Sequence, residues 1–359
     1  SANGQFTFDW CGANGRNVEV YALPEKEIFL MMFVRDDIME KYGWEDKIPN
    51  TWDEVIDLVA DLQAESLQFY LPVNEEGATA LNSIFVSLLY QMGGELYINN
   101  NKETGLLLEE GMEAFETWTE FYTLYSFPSY ASFINRFRSG EMPIGISYYE
   151  TYNTLSVFAP ELRGSWSYHP IPGSYRTDDN GNTYIDHTST VAGTGAVILK
   201  EPALRSDSQR DASWEFLKWW TSTNIQYRFG QEMEGILGSA ARHTTANIQA
   251  LQQLAWPADD LAQLVKQWGF LDSENYITVN GQQIASFDVA NSDGKVYPNI
   301  YGVHQMPQIA GSYITGREVE NAFREVISNK VSAKGTLYEY ANNINNEIDR
   351  KRGEFGLPL

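Results

Sequence analysis

The sequence is poor in several things that would have placed it at once. It has one cysteine, Cys11. A single thiol cannot close an internal disulfide, nor form half of a Cys-x-x-Cys redox or metal motif. Its longest uninterrupted apolar run is Ile28–Val34, far short of the ~20 residues that span a bilayer. The N-terminus, Ser1-Ala2-Asn3-Gly4, carries no charged and apolar leader pattern. Basic residues are scarce, with 25 Lys and Arg against 48 Asp and Glu, a net charge of −23. That balance excludes a polyphosphate partner, because binding one needs clustered Lys and Arg to release counterions. It also disfavours adhesion to an anionic membrane surface.

Catalytic and cofactor motifs are missing as well. There is no G-x-S-x-G elbow, no H-E-x-x-H and no phosphate-binding G-x-x-x-x-G-K-[ST]. The four histidines, His169, His187, His243 and His304, lie too far apart for ligand spacing; loop or core positions are expected for them, and no metal. Gly193-Thr194-Gly195 lacks the third glycine of a dinucleotide fingerprint, so no nucleotide cofactor is implied. Asp178-Asp179-Asn180-Gly181-Asn182 is similar to a calcium loop, but its glycine falls one residue early and the closing Glu is absent. It reads as a hairpin turn.

What is present is a core. Of the 359 residues, 43% are hydrophobic and 14% aromatic, including 21 Tyr and 10 Trp; the length accommodates two domains or one large one. Val18, Val20 and Ile28–Val34 read as strand segments around Tyr21-Ala22-Leu23-Pro24, after a turn at Asn14-Gly15. Thr51-Trp52-Asp53-Glu54 is a capping box, followed by Val55, Leu58, Val59 and Leu62 at helical spacing. Further helices are expected over 78–92, 107–125, 132–139, 211–222, 316–329 and 335–352. Strands are expected at 142–148 and 191–199, with a hairpin about Asn180-Gly181 and a β-meander about Asn280-Gly281 and Asp293-Gly294. Helices and strands alternate, which gives an α/β class. Trp118, Trp214 and Phe216 fall on helical periodicities and are expected in the core; Trp10, Trp166, Trp219, Tyr301 and Tyr313 are not committed by pattern.

With so many acids, chance pairs at glycosidase separation are unavoidable, so counting carboxylates says nothing about hydrolysis. Ser147-Tyr148-Tyr149-Glu150-Thr151-Tyr152 is more informative. It places three tyrosines and a Glu at the C-terminal end of an expected strand, where open α/β sheets bind ligands. Flat aromatic faces with polar tips suit the CH faces and hydroxyl rims of sugars. Ordinary core and rim positions would explain the same tyrosines.

An ordered set of motifs resembles the extracellular solute-binding proteins of ABC importers, in the sugar-binding group related to maltose-binding protein. The set comprises Asn14-Gly15 with Val20-Tyr21-Ala22-Leu23-Pro24, Phe33-Val34-Arg35-Asp36-Asp37-Ile38, and Gly43 followed by Pro49-Asn50-Thr51-Trp52-Asp53-Glu54. It continues through Phe137-Arg138-Ser139-Gly140-Glu141-Met142-Pro143-Ile144, Ile171-Pro172-Gly173, Gly195-Ala196-Val197 and Trp214-Glu215-Phe216-Leu217-Lys218-Trp219. It ends in the Arg317–Arg352 stretch with Val326-Ile327-Ser328.

The resemblance implies a type II periplasmic-binding-protein-like fold whose two lobes close on a ligand, with no catalysis. The C-terminal lobe would take 25–222 plus 310–359, and 1–24 with 223–309 would form the hinge and remaining N-terminal lobe. Glu25, Ser147, Tyr148, Tyr149, Glu150, Gly193, Thr194, Gly235, Ile236, Tyr301 and Tyr313 are the implied ligand-binding candidates, although Gly238 stands where the family favours proline. The implied ligand is a carbohydrate, the implied partner an ABC permease, and the implied location the extracellular face, lipid-anchored or periplasmic. A receptor for a non-sugar solute, and a carbohydrate hydrolase, are the alternatives. The family carries its first βα units ahead of the Tyr21-Ala22-Leu23-Pro24 strand, where this sequence has few residues. The resemblance therefore implies a truncated chain or a fragment of a longer polypeptide. The N-terminal lobe would then expose strand edges and apolar surface, favouring dimerisation or segment swapping.

Overall fold

The computed structural model describes residues 6–8, 19–71, 73, 84–178, 180–199, 206–269, 276–279, 282–290 and 296–357. Cys11, Trp10, Asn14-Gly15, the start of the 78–92 helix and the Asn280-Gly281 and Asp293-Gly294 turns lie outside them.

The apolar run at 28–34 organises the molecule. A strand buried on both faces must be apolar at every position, because successive side chains point to opposite sides. Leu30, Met32 and Val34 enter one core cluster and Phe29, Met31 and Phe33 another. The first cluster lies under the helices Trp52–Ala64, Ile84–Gln91, Glu109–Thr123, Tyr313–Asn329 and Ala333–Glu354. The second is closed by helices Phe133–Ser139, Thr151–Phe158 and Ala258–Trp268. Helices thus cover both faces of one sheet, an α/β sandwich in three layers.

The central strand is longer than the sequence pattern indicates. It runs without a break over Glu19–Val34, through Pro24, where two separate segments are expected. Proline is tolerated because its cross-strand partner is Gly195, at the irregularity between Thr194 and Gly195, and a bulge does not need the missing N–H. One end of this strand pairs with Ser189–Val197. The other pairs with Ile144–Tyr148 and Ser167–His169. It therefore joins a large body to a smaller one that carries helices Asp207–Trp220 and Thr223–Leu237.

The capping box forms as expected: Thr51 Oγ1 accepts from Glu54 N, while the Glu54 carboxylate accepts from Thr51 N. Ser174–Thr177 and Thr183–Asp186 make the expected hairpin. At its turn both oxygens of Asp178 accept from Asn180 and Asn182, so the loop's own donors occupy the carboxylate. Tyr276–Val279, Gln282–Ala290 and Val296–Ile300 form the meander and join that hairpin in a five-stranded sheet. No described helix is long and apolar enough to cross a membrane.

One expectation needs correcting. Trp118 is fully buried, but Trp214 and Phe216 are 42% and 57% exposed; helix Asp207–Trp220 buries none of its residues. Helices Asp207–Trp220 and Thr223–Leu237 pack together, with Trp220 edge-on to Phe229 at 5.0 Å. Helix Ala258–Trp268, assigned by the resemblance to the smaller part, packs beneath the central strand of the large body, where Leu264 and Trp268 are buried.

Candidate ligand-binding cleft

Strand Ile144–Tyr148 ends at the boundary between the bodies, and helix Thr151–Phe158 starts after two intervening residues. The strand-to-helix turn places Ser147, Tyr148 and Glu150 in the lining of a cleft of ≈ 630 Å³. Thr151, Asn153 and Thr154 continue that wall, and Tyr130, Ser132 and Ile134 extend it outward. Lys26, Phe229, Met233 and the Ala240–Thr244 segment face them from the small body. The lining thus combines aromatic rings, Tyr130, Tyr148 and Phe229, with polar groups.

The electrostatics are balanced. Partial burial raises the Glu150 carboxyl above its ordinary range, and Lys26 opposes that rise. Burial raises the Tyr148 hydroxyl further, so it stays protonated and can donate. Arg242 is ion-paired to Glu234 at 2.8 Å and lies 4.8 Å from the Trp256 ring centre. Ser147 and Thr151 share a hydroxyl–hydroxyl bond of 2.8 Å.

The remaining candidates fall elsewhere. Tyr149 lies one residue past the end of the strand and is turned into the core; it is fully buried against Phe29 and Trp256, and its hydroxyl donates to the Glu27 carbonyl at 2.8 Å. Glu25 accepts from Thr194 Oγ1 at 3.2 Å and Trp220 Nε1 at 3.0 Å. It ties two strands to a helix and is not in the cleft lining, and neither is Thr194. Gly193 pairs with Glu27 in the ladder. Gly235 and Ile236 are exposed on the last turn of helix Thr223–Leu237, beyond Phe229 and Met233, which do reach the cleft. Tyr301 is buried, stacked on His187 at 4.5 Å. Tyr313 is exposed and its hydroxyl bonds Glu347.

Lys26, Tyr130, Asn153, Phe229, Met233 and His243 were not anticipated. Asn153 follows from Glu150 by helical spacing, but nothing in sequence brings residues 229–244 to residue 148. The other polar clusters are structural ties. Ser167 donates its single proton to Asp36 at 2.6 Å, so the 2.8 Å contact with His169 Nε2 is an N–H donated by the ring. A histidine that donates to the serine cannot activate it as a base. His187 is held between two acceptors, Ile171 O at 2.8 Å and Asn299 Oδ1 at 2.7 Å, and its neutral ring has one N–H to donate to one of them. No group of three metal-binding side chains occurs among the described residues.

The profile of the bacterial extracellular solute-binding proteins matches residues 5–253. The chain belongs to that family. A solute receptor of this family has solved structural relatives that share its fold at low sequence identity. The sugar-binding protein MalE from Xanthomonas citri superposes with a TM-score of 0.64 at 16% identity, covering 99% of this chain and 77% of that one. An ABC transporter solute-binding protein from Thermotoga lettingae TMO, solved with α-D-tagatose, gives 0.61 at 16% identity, covering 93% and 74%. Maltose-bound MalE3 from T. maritima gives 0.60 at 15% identity, covering 92% and 73%. At such identities the likeness is one of fold, and it shows this solute-binding protein to be of the α/β periplasmic-binding-protein type. A comparison with curated proteins gave no match.

Proposed function

We propose that this solute-binding protein is the receptor of an ABC importer for a neutral carbohydrate, held between the two bodies. The observation that carries the reading is the composition of the cleft. Tyr148, Tyr130 and Phe229 line one cavity of ≈ 630 Å³ together with Glu150, Ser147 and Lys26. Aromatic rings in the lining suit the CH faces of a pyranose, and one acid with one base suits hydroxyls better than a charged solute. The sugar ligands of the solved relatives support the same class.

Among the described residues, Glu150 is the one carboxylate in the cleft lining. A glycosidase needs a pair of carboxyl groups flanking the bond it breaks, so the cleft favours binding over hydrolysis. The reading extends to a permease that receives the loaded form, to an extracellular position with lipid anchoring or a periplasm, and to self-association through the small body. Lobe boundaries near 25, 222 and 310 belong to it, with helix Asp207–Trp220 moved to the small body.

Thermal melting with glucose, tagatose, maltose and maltotriose tests the reading. A ligand at 100 times its Kd stabilises by ~2.7 kcal/mol, and binding should weaken tenfold or more, roughly, in Glu150→Gln and Tyr148→Ala, which each lose a buried contact. The reading fails if no sugar moves the melting curve, or if both variants bind like the parent.

A further inference from the structure

Asn153 sits in the first turns of helix Thr151–Phe158, on the face that continues the cleft wall from Glu150, and it is 3% exposed. Its Nδ2 donates to the Arg242 carbonyl at 3.3 Å. That bond fixes the amide, because the flipped form would set two oxygens against each other. The oxygen left over, Oδ1, is buried with no hydrogen-bond partner. Folded proteins rarely leave a buried acceptor unmatched, since it has lost water and gained nothing.

The neighbouring group has the same character. Gln226 Nε2 donates to the Trp220 carbonyl at 2.9 Å, so its Oε1 is the atom that accepts from Thr245 Oγ1 and from His243 Nε2. His243 therefore carries its proton on Nε2, and Nδ1 is left as an acceptor. Burial and Lys26 lower its pKa to about 4, which keeps the ring neutral. Asn153, His243 and Glu150 together make this stretch of the cleft acceptor-rich.

We propose that Asn153 Oδ1 reads one hydroxyl of the bound sugar, accepting its proton, so that the protein selects saccharides with a free hydroxyl at that position. Sugars that are deoxygenated, O-methylated or oxidised to a carboxylate there bring no donor and are rejected. The partner of Asn153 across the gap, Arg242, belongs to the small body, so a shift between the bodies admits the hydroxyl. This inference rests on the carbohydrate reading and adds a residue and a selectivity to it.

The test is calorimetry on the whole chain, with the tightest binder of the four sugars and its monodeoxy and monodeoxyfluoro series. Fluorine matches the hydroxyl in size but cannot donate. One position in the series should bind the wild type about 10- to 100-fold more weakly than the parent sugar, the effect of stranding a buried acceptor. In Asn153→Leu the parent sugar should weaken by a similar factor, and the gap between parent and analogue should close to about twofold. Asn153→Asp keeps an acceptor but sets a second oxygen against the Arg242 carbonyl, so it should bind every member of the series more weakly while keeping the gap. Sugar binding with the gap intact in Asn153→Leu overturns this inference alone. A flat wild-type series does the same, and it decides the matter even if the leucine variant does not fold. Failure of all four sugars to bind overturns the carbohydrate reading itself.

Discussion

Glu27 is a carboxyl group on the long strand, two residues from the candidate Glu25, with a quite different fate. It is 6% exposed, and burial raises its pKa from 4.5 to about 7, although the Trp268 indole N–H donated to it at 3.1 Å works the other way. Between those two values the folded chain holds a proton that the unfolded chain has released. Stability must therefore fall as pH rises through that window. The loss between pH 5 and pH 8 should be on the order of 2 to 3 kcal/mol for this group. Glu27→Gln keeps an oxygen for Trp268 and removes the titration, so the variant should gain on the wild type by that amount at the higher pH. The buried His187, whose pKa is lowered to about 4, acts with the opposite sign. Its contribution is lost as pH falls from about 6.5, but both proteins share it and it cancels in their difference. Urea denaturation of the two proteins at both pH values reads the effect; a difference that does not change with pH would refute it.

The same scale shows what a sequence yields about a site. Ser147, Tyr148 and Glu150 were legible because an aromatic and acidic cluster followed an apolar strand. Tyr149 was not separable from Tyr148, since what draws Tyr149 into the core is its packing on Phe29 and Trp256, residues more than a hundred positions away that the local string does not bring to it. Glu25 looked like a ligand contact, yet its oxygens are taken by Trp220 and Thr194, residues 195 and 169 positions away.

At the scale of elements, pattern and structure agree where the signal is local. The Thr51–Glu54 box, the Asn180-Gly181 hairpin and the helix at 52–64 each rest on neighbours within a few residues. Pro24 broke the strand on paper because its tolerance depends on Gly195, a partner far along the chain. Gly145 is another such case. It lies in the strand that delivers Ser147 and Tyr148, and a Cβ there would stand 2.6 Å from Tyr70 Cβ and 2.9 Å from Phe133 Cε2. Those two rings stack at 4.6 Å and cannot both retreat within a packed core. Gly145→Ala should cost about 1 to 3 kcal/mol, the usual range for overpacking. It should also weaken ligand binding, because the strand end carries the cleft wall. A melting temperature equal to that of the parent would show that the rings do yield.

At the scale of the whole molecule two properties oppose each other. A net charge of −23 drives copies apart. Helix Asp207–Trp220 nevertheless turns apolar rings outward, with Trp214, Phe216 and Trp219 at 42%, 57% and 51% exposure, the last two with ring centres 5.5 Å apart. Its own charges are mixed, with Arg210 paired to Asp207 and Lys218 to Glu215, so the repulsion is weakest where the apolar area is greatest. An exposed cluster of this kind marks an interaction surface, and the occupant to test for it is a second copy, whose approach the paired charges of this helix oppose least. Contact would require the long-range repulsion to be screened, which happens once the Debye length shrinks to about 10 Å near 0.1 M salt. Sedimentation should therefore show the wild type as a monomer at about 0.01 M salt, where the Debye length is about 30 Å, and associating by about 0.3 M. Replacing Trp214, Phe216 and Trp219 together by Ser should leave a monomer throughout. These side chains are largely outside the core, so the triple variant should lose little stability and retain ligand affinity. A wild type that stays monomeric across the salt range, or a variant that associates just as readily, would remove the second copy as the cover of this face.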